Sequence, residues 1–153
     1  MASPGRRHDL VLFGATGFTG RLVAEHLARH AAGTSLAWAL GGRDPGKLEK
    51  VRAELAELDA ACAELPIVVA DAMDRAAIAK VAAEARVVCT TVGPYARYGD
   101  ALVDACARAG THYCDLTGEV PFIRGSIDRN HEEAMRTGAR IVHCCGFDSI
   151  PSD

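Results

Sequence analysis

The sequence predicts an α/β fold in which helices cover both faces of a parallel β-sheet. Short runs of apolar, β-prone residues alternate along the chain with amphipathic helical segments, the pattern typical of this fold class. The apolar runs are nearly continuous instead of alternating with polar residues, as strands buried on both faces require. The 153 residues, of which 49% are hydrophobic and 24% charged, suffice for one domain with a single core.

Six apolar runs are candidate strands. They lie at residues 10–13, 36–40, 67–70, 87–92, 113–116 and 141–145. Crossovers between parallel strands are right-handed, and dinucleotide-binding sheets switch direction after the third strand, so few arrangements of six strands remain. We therefore predict a Rossmann-type doubly wound, six-stranded parallel sheet with the order 3-2-1-4-5-6.

Several segments between the strands show helical periodicity. Apolar residues recur at helical spacing in three groups: Leu48, Val51, Leu55 and Leu58; Ile78, Val81 and Ala82; Leu102, Val103 and Cys106. Gly110 and Gly138 each stand where a helix must stop before the next strand. This position favours a left-handed φ, which glycine adopts without strain.

A glycine-rich segment directly after the first strand is the most specific motif. It reads Gly14-Ala15-Thr16-Gly17-Phe18-Thr19-Gly20 and opens a helix that runs to about His30. Gly14 would make the turn, Gly17 would let the backbone approach phosphates, and Gly20 would let the helix pack on the sheet. We predict cofactor contacts from Gly14, Thr16, Gly17, Phe18, Thr19 and Gly20. The alternative is a tight turn without a ligand.

The residues after the second strand bear on the choice between NAD and NADP. NAD enzymes commonly present Asp or Glu to the ribose 2′-hydroxyl about 20 residues beyond the glycine loop. Here Arg43 occupies that place, where a guanidinium can pair with a 2′-phosphate, and Lys47 could add charge. The acid comes one residue later, at Asp44, where it can cap the next helix. The sequence favours NADP(H), and NAD(H) is the alternative if Arg43 is only a solvated charge.

Two further strand ends contribute candidate cofactor contacts. Asp71 follows the third strand and is placed to contact the adenine edge, although it could equally cap the next helix. Val92, Gly93 and Pro94 follow the fourth strand near the switch point, where the nicotinamide ribose should lie. Gly93 would permit close approach of the backbone to the ligand.

The catalytic residue remains unassigned by the sequence. Single-domain reductases with a similar glycine loop carry a Tyr-x-x-x-Lys pair, in which lysine lowers the pKa of tyrosine. Here the three tyrosines are followed, four residues on, by Gly99, Leu102 and Thr117. That mechanism is therefore excluded, and the proton donor must be another residue or come from a second domain.

Polar residues near the last two strands carry no assigned chemistry. His143, Cys144 and Cys145 are adjacent on a predicted strand, where neighbouring side chains point to opposite faces, so we expect no metal site. Asp115, Glu119 and Asp148 follow the fifth and sixth strands, where site residues collect, but we expect them to cap helices or form turns.

Composition limits the class of protein. The net charge of −3 argues against nucleic acid as the main partner, because no basic stripe is present to neutralise phosphates. The six cysteines form no Cys-x-x-Cys pair and fall mostly in apolar runs, so we expect reduced, buried thiols and a cytoplasmic location. No run of apolar residues is long enough to span a membrane.

Four sequence blocks together resemble the saccharopine dehydrogenase-like oxidoreductases, and among them the bacterial trans-acting enoyl reductases most. The resemblance covers nearly the whole chain from His8. The blocks are Gly-Ala-Thr-Gly-Phe-Thr-Gly at 14–20, Gly-Arg-Asp-Pro at 42–45, Val-Gly-Pro-Tyr at 92–95 with Tyr98-Gly99 and Gly-Thr-His-Tyr at 110–113, and Cys-Gly-Phe-Asp-Ser-Ile-Pro-Ser-Asp at 145–153. The last two blocks are more distinctive than a glycine loop.

This resemblance implies an NAD(P)-binding Rossmann domain at residues 1–145 and, at 146–153, the start of a crossover to a substrate domain absent from this chain. It implies a small-molecule substrate bound through that second domain, an isolated domain without activity, and leaves homo-oligomer formation open. The implied activity is NADPH-dependent reduction of an activated C=C bond in lipid or polyketide biosynthesis. The alternatives are a saccharopine dehydrogenase-type enzyme acting on a C–N bond and a regulator that senses NADP(H) without turnover.

Overall fold

The computed structural model describes residues 5–147 and residue 150. Its centre is one parallel six-stranded sheet with the order β3-β2-β1-β4-β5-β6, which confirms the predicted Rossmann-type topology. The strands are β1 (His8–Phe13), β2 (Trp38–Gly42), β3 (Ile67–Val69), β4 (Ala85–Thr90), β5 (His112–Asp115) and β6 (Ile141–Val142).

Helices connect all six strands. They are α1 (Phe18–His30), α2 (Pro45–Ala56), α3 (Arg75–Glu84), α4 (Tyr95–Tyr98), α5 (Asp100–Ala109) and α6 (Val120–Thr137). Gly110 and Gly138 end α5 and α6 with φ of 68° and 78°, so the predicted left-handed helix ends are confirmed. Among the helices of the described region, none is both long and apolar enough to cross a membrane.

All six strands differ from their predicted bounds by one to three residues at one end or both, and β2, β4 and β6 differ most. Strand β2 lies two residues later than predicted, because Gly41 and Gly42 join the sheet despite their low β-propensity. Strand β4 also differs by two residues: it starts at Ala85 and ends at Thr90, and the Val92 amide donates a hydrogen bond to the Thr90 hydroxyl at 3.3 Å. The prediction that β6 extends to residue 145 is wrong, since Cys144 has φ 62° and interrupts the extended backbone.

The second helix is shorter than its apolar spacing suggested. Helix α2 ends at Ala56, so the assignment of Leu58 to it is wrong, and Leu58 is exposed. The chain instead enters a 3₁₀ helix at Ala60–Glu64. The side chain of Asp59 begins this turn by accepting a hydrogen bond from the Ala61 amide at 3.1 Å, and such local capping competes with helix continuation.

The sheet separates two apolar clusters. On one face, α3, α5 and α6 pack against side chains that include Val11, Val88 and Tyr113. On the other face, α1 and α2 pack against Leu12 and Leu40. Both faces are covered at the centre of the sheet, which explains the continuous apolar strands in the sequence.

The expectation of buried cysteines is only partly right. All six thiols in the chain are free, but burial is complete only for Cys62 and Cys106. Cys89 and Cys114 alternate with the buried Val88 and Tyr113 along their strands, so they lie on the opposite face, which α1 and α2 cover mainly over β1 and β2. Apolar runs in the sequence do not show which half of a sheet a helix covers.

Candidate functional site

A cleft of about 450 Å³ opens at the carboxyl edge of the sheet, where β1, β2, β3 and β4 end. Strands β1 and β4 are neighbours although they are far apart in sequence, and a crevice forms at this switch of winding direction. The lining residues are Phe13, Gly14, Thr16, Gly17, Gly42, Arg43, Ala70, Asp71, Ala72, Thr91, Val92, Gly93, Pro94 and Tyr98.

Two glycines let the start of α1 pack directly on the turn after β1. Gly14 has φ 94°, and a Cβ there would lie 2.7 Å from the Val92 side chain. A Cβ on Gly20 would lie 2.1 Å from the carbonyl oxygen of Gly14. That oxygen accepts hydrogen bonds from the Gly17 amide at 3.0 Å and the Thr91 hydroxyl at 3.2 Å. These contacts therefore fix the turn, the start of α1 and the end of β4 relative to one another.

The first turn of α1 offers uncapped amide groups beside the cleft. Gly17 is the N-cap residue, and no side chain of the described region caps this helix. Phe18 and Thr19 follow it on the surface, and the first turn holds no acidic side chain. The free N–H groups and the helix dipole give this end a partial positive charge. The arrangement suits a phosphate group.

Arg43 lies at the rim of the cleft, just beyond β2. Its side chain is exposed, and within the part of the chain that the structure describes it has neither a hydrogen bond nor an ion pair. The neighbouring Asp44 is committed to α2, since its Oδ1 accepts a hydrogen bond from the Lys47 amide at 3.0 Å. The Arg43 guanidinium is therefore available to an anion, whereas Lys47 is exposed but does not line the cleft.

Asp71 lies at the rim beyond β3 and does not cap the following helix. Its Oδ1 accepts a hydrogen bond from the Met73 amide at 2.8 Å, which closes a short turn. Helix α3 is capped by Asp74, whose carboxylate accepts from two amides of the first turn. The exposed Asp71 side chain therefore borders the cleft, as the adenine assignment requires.

The loop after β4 is held in place from a distant part of the chain. The Glu119 carboxylate accepts hydrogen bonds from the amides of Tyr95, at 2.7 Å, and Ala96, at 2.9 Å, and so caps α4 from outside. The Tyr95 hydroxyl donates to the Thr90 carbonyl at 3.1 Å, and burial raises the pKa of Tyr95 above its ordinary value. These contacts fix Gly93–Pro94, whose peptide bond is cis, at the edge of the cleft.

The site geometry agrees with a sequence comparison. Residues 10–142 match the family described as the saccharopine dehydrogenase NADP binding domain. The chain belongs to this family. It is thus the NADP-binding domain of an oxidoreductase family, as the sequence blocks had suggested.

The curated relatives of this chain are longer proteins. Over all 153 residues it is 53% identical to a trans-acting enoyl reductase of Mycobacterium ulcerans (strain Agy99). It is 54% identical to a putative trans-acting enoyl reductase of Mycobacterium tuberculosis (strain ATCC 25618 / H37Rv). In both comparisons the chain spans 35% of the relative's length.

Solved structures share the fold. Saccharopine dehydrogenase (L-Glu forming) from Saccharomyces cerevisiae superposes with a TM-score of 0.72 at 20% identity, over 93% of this chain and 28% of that one. A short-chain type dehydrogenase/reductase from Mycobacterium ulcerans gives a TM-score of 0.66 at 13% identity, over 90% of this chain and 66% of that one. At these identities the likeness concerns the fold.

The cleft brings together most of the cofactor contacts that the sequence predicts. Eight of them line it: Gly14, Thr16, Gly17, Arg43, Asp71, Val92, Gly93 and Pro94. Phe18 and Thr19 stand outside the lining at the exposed start of α1, and Gly20 is buried against the glycine turn. Sequence reasoning missed Tyr98, because the tyrosines were considered only as partners of a lysine four residues on.

Polar residues beyond β5 and β6 form a buried network instead of an exposed site. Asp115 accepts hydrogen bonds from the Tyr113 hydroxyl at 2.8 Å and from His143 Nδ1 at 2.7 Å. His143 Nε2 lies 2.9 Å from the Ser126 hydroxyl. His143 follows β6 and is not on a strand, so the geometric premise used against a metal was wrong. Burial raises the pKa of Tyr113, and the nearby Asp115 adds to this effect.

The order Ser126, His143, Asp115 is that of a hydrolytic triad, but the surroundings do not suit nucleophilic attack. Ser126 is buried in the middle of α6. The backbone N–H groups around it are used by the helix, so they cannot stabilise an oxyanion. We assign this network to the attachment of α6 and the end of β6 to β5.

Proposed function

We propose that the cleft binds NADP(H) across the switch point of the sheet. The pyrophosphate lies at the start of α1, and the adenosine half extends over the ends of β2 and β3 past Arg43 and Asp71. The nicotinamide half extends past Val92, Gly93 and Pro94. This placement follows the general rule for dinucleotides in doubly wound sheets.

Gly17 supports the phosphate assignment. Its φ of −76° suits any residue, and a Cβ there would meet only the Gly14 carbonyl oxygen, at an ordinary 3.4 Å. The protein's own packing therefore does not demand glycine at this position. A ligand that contacts the backbone closely does, and a pyrophosphate at the helix N-terminus is such a ligand.

The observation that carries the preference for NADP(H) is the available Arg43 guanidinium at the rim of the cleft, next to an aspartate that is committed to capping α2. A guanidinium can form two parallel hydrogen bonds to a phosphate and can stack on adenine. Among the described residues that line the cleft, the one carboxylate is that of Asp71, which follows β3 and does not lie beside Arg43 at the end of β2.

Exchange of Arg43 for alanine tests this assignment. Arg43→Ala should weaken NADPH binding by about 1.5 to 3 kcal/mol, the range for hydrogen bonds between charged groups, and leave NADH binding nearly unchanged. Lys50→Ala is the matched control, because Lys50 is an exposed cation on α2 that does not line the cleft. Titration calorimetry measures the six affinities of the wild type and the two variants for NADPH and NADH. Equal losses for both cofactors, or an equal effect of Lys50→Ala, would refute the assignment.

For the whole protein we propose the activity that its relatives' name gives, trans-acting enoyl reduction, in which NADPH would supply a hydride to one carbon of an activated C=C bond and a proton would add to the other carbon. The support is the identity of 53% and 54% over the full chain. We propose a cytoplasmic location, which suits the free thiols and a reduced nicotinamide cofactor.

We further propose that residues 1–145 form the cofactor domain and that residues 146–153 begin the crossover to a substrate domain, to which the remaining length of the relatives corresponds. Phe147 is 90% exposed and Ile150 is 60% exposed, as expected of apolar groups that another domain covers. Asp148, Ser149 and residues 151–153 lie outside the described residues. The isolated domain should then lack reductase activity, and a small-molecule substrate would bind through the second domain.

A further inference from the structure

Tyr98 differs from the other two tyrosines in the hydrogen bonding of its hydroxyl group. The Tyr95 hydroxyl donates to the Thr90 carbonyl, and the Tyr113 hydroxyl donates to Asp115. Tyr98 is half-buried and lines the cleft, and its hydroxyl has no hydrogen-bond partner among residues 5–147. The Tyr98 hydroxyl is therefore available to a ligand in the cleft, whereas the hydroxyls of Tyr95 and Tyr113 are already engaged.

The backbone that carries Tyr98 is held firmly. Tyr98 ends the single turn of α4, which the Glu119 carboxylate caps and the buried Tyr95 side chain anchors. The next residue, Gly99, packs so closely on α6 that a Cβ would lie 2.6 Å from the Phe122 ring. The backbone of this turn is therefore preorganised, so little backbone entropy is lost when a ligand contacts Tyr98.

Arg97 restricts the ring further. Its guanidinium carbon lies 5.1 Å from the centre of the Tyr98 ring, within the range of a cation–π contact. This contact engages one face of the ring and leaves the hydroxyl unused.

The position of Tyr98 assigns it to one half of the dinucleotide. The adenosine half is associated with Arg43 and Asp71 beyond β2 and β3, whereas Tyr98 shares the lining beyond β4 with Gly93 and Pro94. On the proposed function, which this step assumes, the nicotinamide half lies on that second side.

We propose that Tyr98 is a cofactor-binding residue for the nicotinamide half of NADP(H): its hydroxyl hydrogen-bonds to a polar group of the nicotinamide riboside, and its ring packs beside it. Tyr98 thereby orients the ring that carries the hydride. Because Arg43 and Tyr98 act on opposite halves of the ligand, their effects on binding are separable.

Two ligands separate the halves: NADPH, and 2′,5′-ADP, which keeps the adenosine 2′-phosphate but lacks the nicotinamide. Tyr98→Ala should weaken NADPH binding about tenfold and change 2′,5′-ADP binding less than twofold. Tyr98→Phe keeps the ring and should cost about threefold for NADPH alone, as expected for one hydrogen bond. Met135→Ala, an exposed apolar change on α6 that does not line the cleft, is the control.

Saturation-transfer NMR on NADP⁺ gives a second measurement. In Tyr98→Ala the signals of the nicotinamide protons should fall relative to those of the adenine protons. Unchanged NADPH affinity in Tyr98→Ala, or equal loss for both ligands, would overturn the role of Tyr98. A wild-type chain that binds 2′,5′-ADP no better than 5′-AMP would instead overturn the proposed 2′-phosphate site, and with it the separation of halves on which Tyr98 depends.

Discussion

The close packing of α1 on the glycine turn predicts that Gly20 cannot carry a side chain. A Cβ at this position would lie 2.1 Å from the Gly14 carbonyl oxygen and 2.9 Å from the Thr91 hydroxyl oxygen. The first of these atoms belongs to the backbone and cannot rotate away. Helix α1 must therefore move away from the turn by about 1 Å to restore an ordinary contact.

The cost of Gly20→Ala follows from two opposing effects. Overpacking in a well-packed region costs about 1–3 kcal/mol, and a clash between backbone groups lies at the upper end. The higher helix propensity of alanine stabilises the folded state by at most about 1 kcal/mol. A net loss of about 2 kcal/mol should lower the midpoint of thermal unfolding by roughly 4–8 °C in a domain of this size. Calorimetry or circular dichroism measures the shift.

Gly46 provides a matched control, because it also lies in the first turn of a helix. A Cβ on Gly46 would lie 3.5 Å from an Asp44 carboxylate oxygen, an ordinary contact. Gly46→Ala should therefore leave the unfolding midpoint unchanged or raise it by a few degrees. If Gly20→Ala unfolds within 1 °C of the wild type, or if both variants lose equally, the packing argument is wrong.

Two further predictions concern the cofactor loop and pH. Gly17→Ala should leave thermal stability almost unchanged but weaken NADPH binding at least tenfold, because the methyl group would meet the pyrophosphate and not the protein; unchanged affinity in a titration would contradict this. Burial lowers the pKa of His8 and His112 below the ordinary 6.5, so the unfolded chain binds protons more readily. Stability should be complete above pH 6.5 and decline toward pH 5.5, and His112→Asn should flatten this decline in thermal scans; a decline as steep as in the wild type would argue against a contribution from His112.

Local patterns in the sequence predicted the fold and much of the cleft. Continuous apolar runs gave the six strands, and the rules for right-handed crossovers and for the switch of direction gave their order. Gly110 and Gly138 marked helix ends because a left-handed φ is a property of a single residue. The glycine turn was recognisable because its three glycines lie within seven consecutive residues. These features depend on short stretches of chain, which a sequence displays directly.

Contacts between distant segments were not predictable in the same way. Glu119 caps α4 from 24 residues away, and nothing in either segment indicates the pairing. The expectation that β6 continues to residue 145 failed for the same reason, since the Asp115 carboxylate accepts a hydrogen bond from the Cys144 amide at 3.2 Å across 29 residues. The sequence also does not show which tyrosine hydroxyls are hydrogen-bonded, so the structure was needed to distinguish Tyr98 from Tyr95 and Tyr113.

Amide chemical shifts measured by ¹⁵N NMR during an NADPH titration report directly whether the dinucleotide binds in the carboxyl-edge cleft. We predict that the largest shifts occur at residues 14–20, which form the glycine turn and the start of α1, and at Arg43 and residues 91–93, which line the cleft. A second cavity, bordered by Leu27, Trp38 and Leu65 near the opposite edge of the sheet, serves as the internal comparison. Shifts concentrated at that cavity, or no shifts at millimolar NADPH, would show that the carboxyl-edge cleft is not the dinucleotide site.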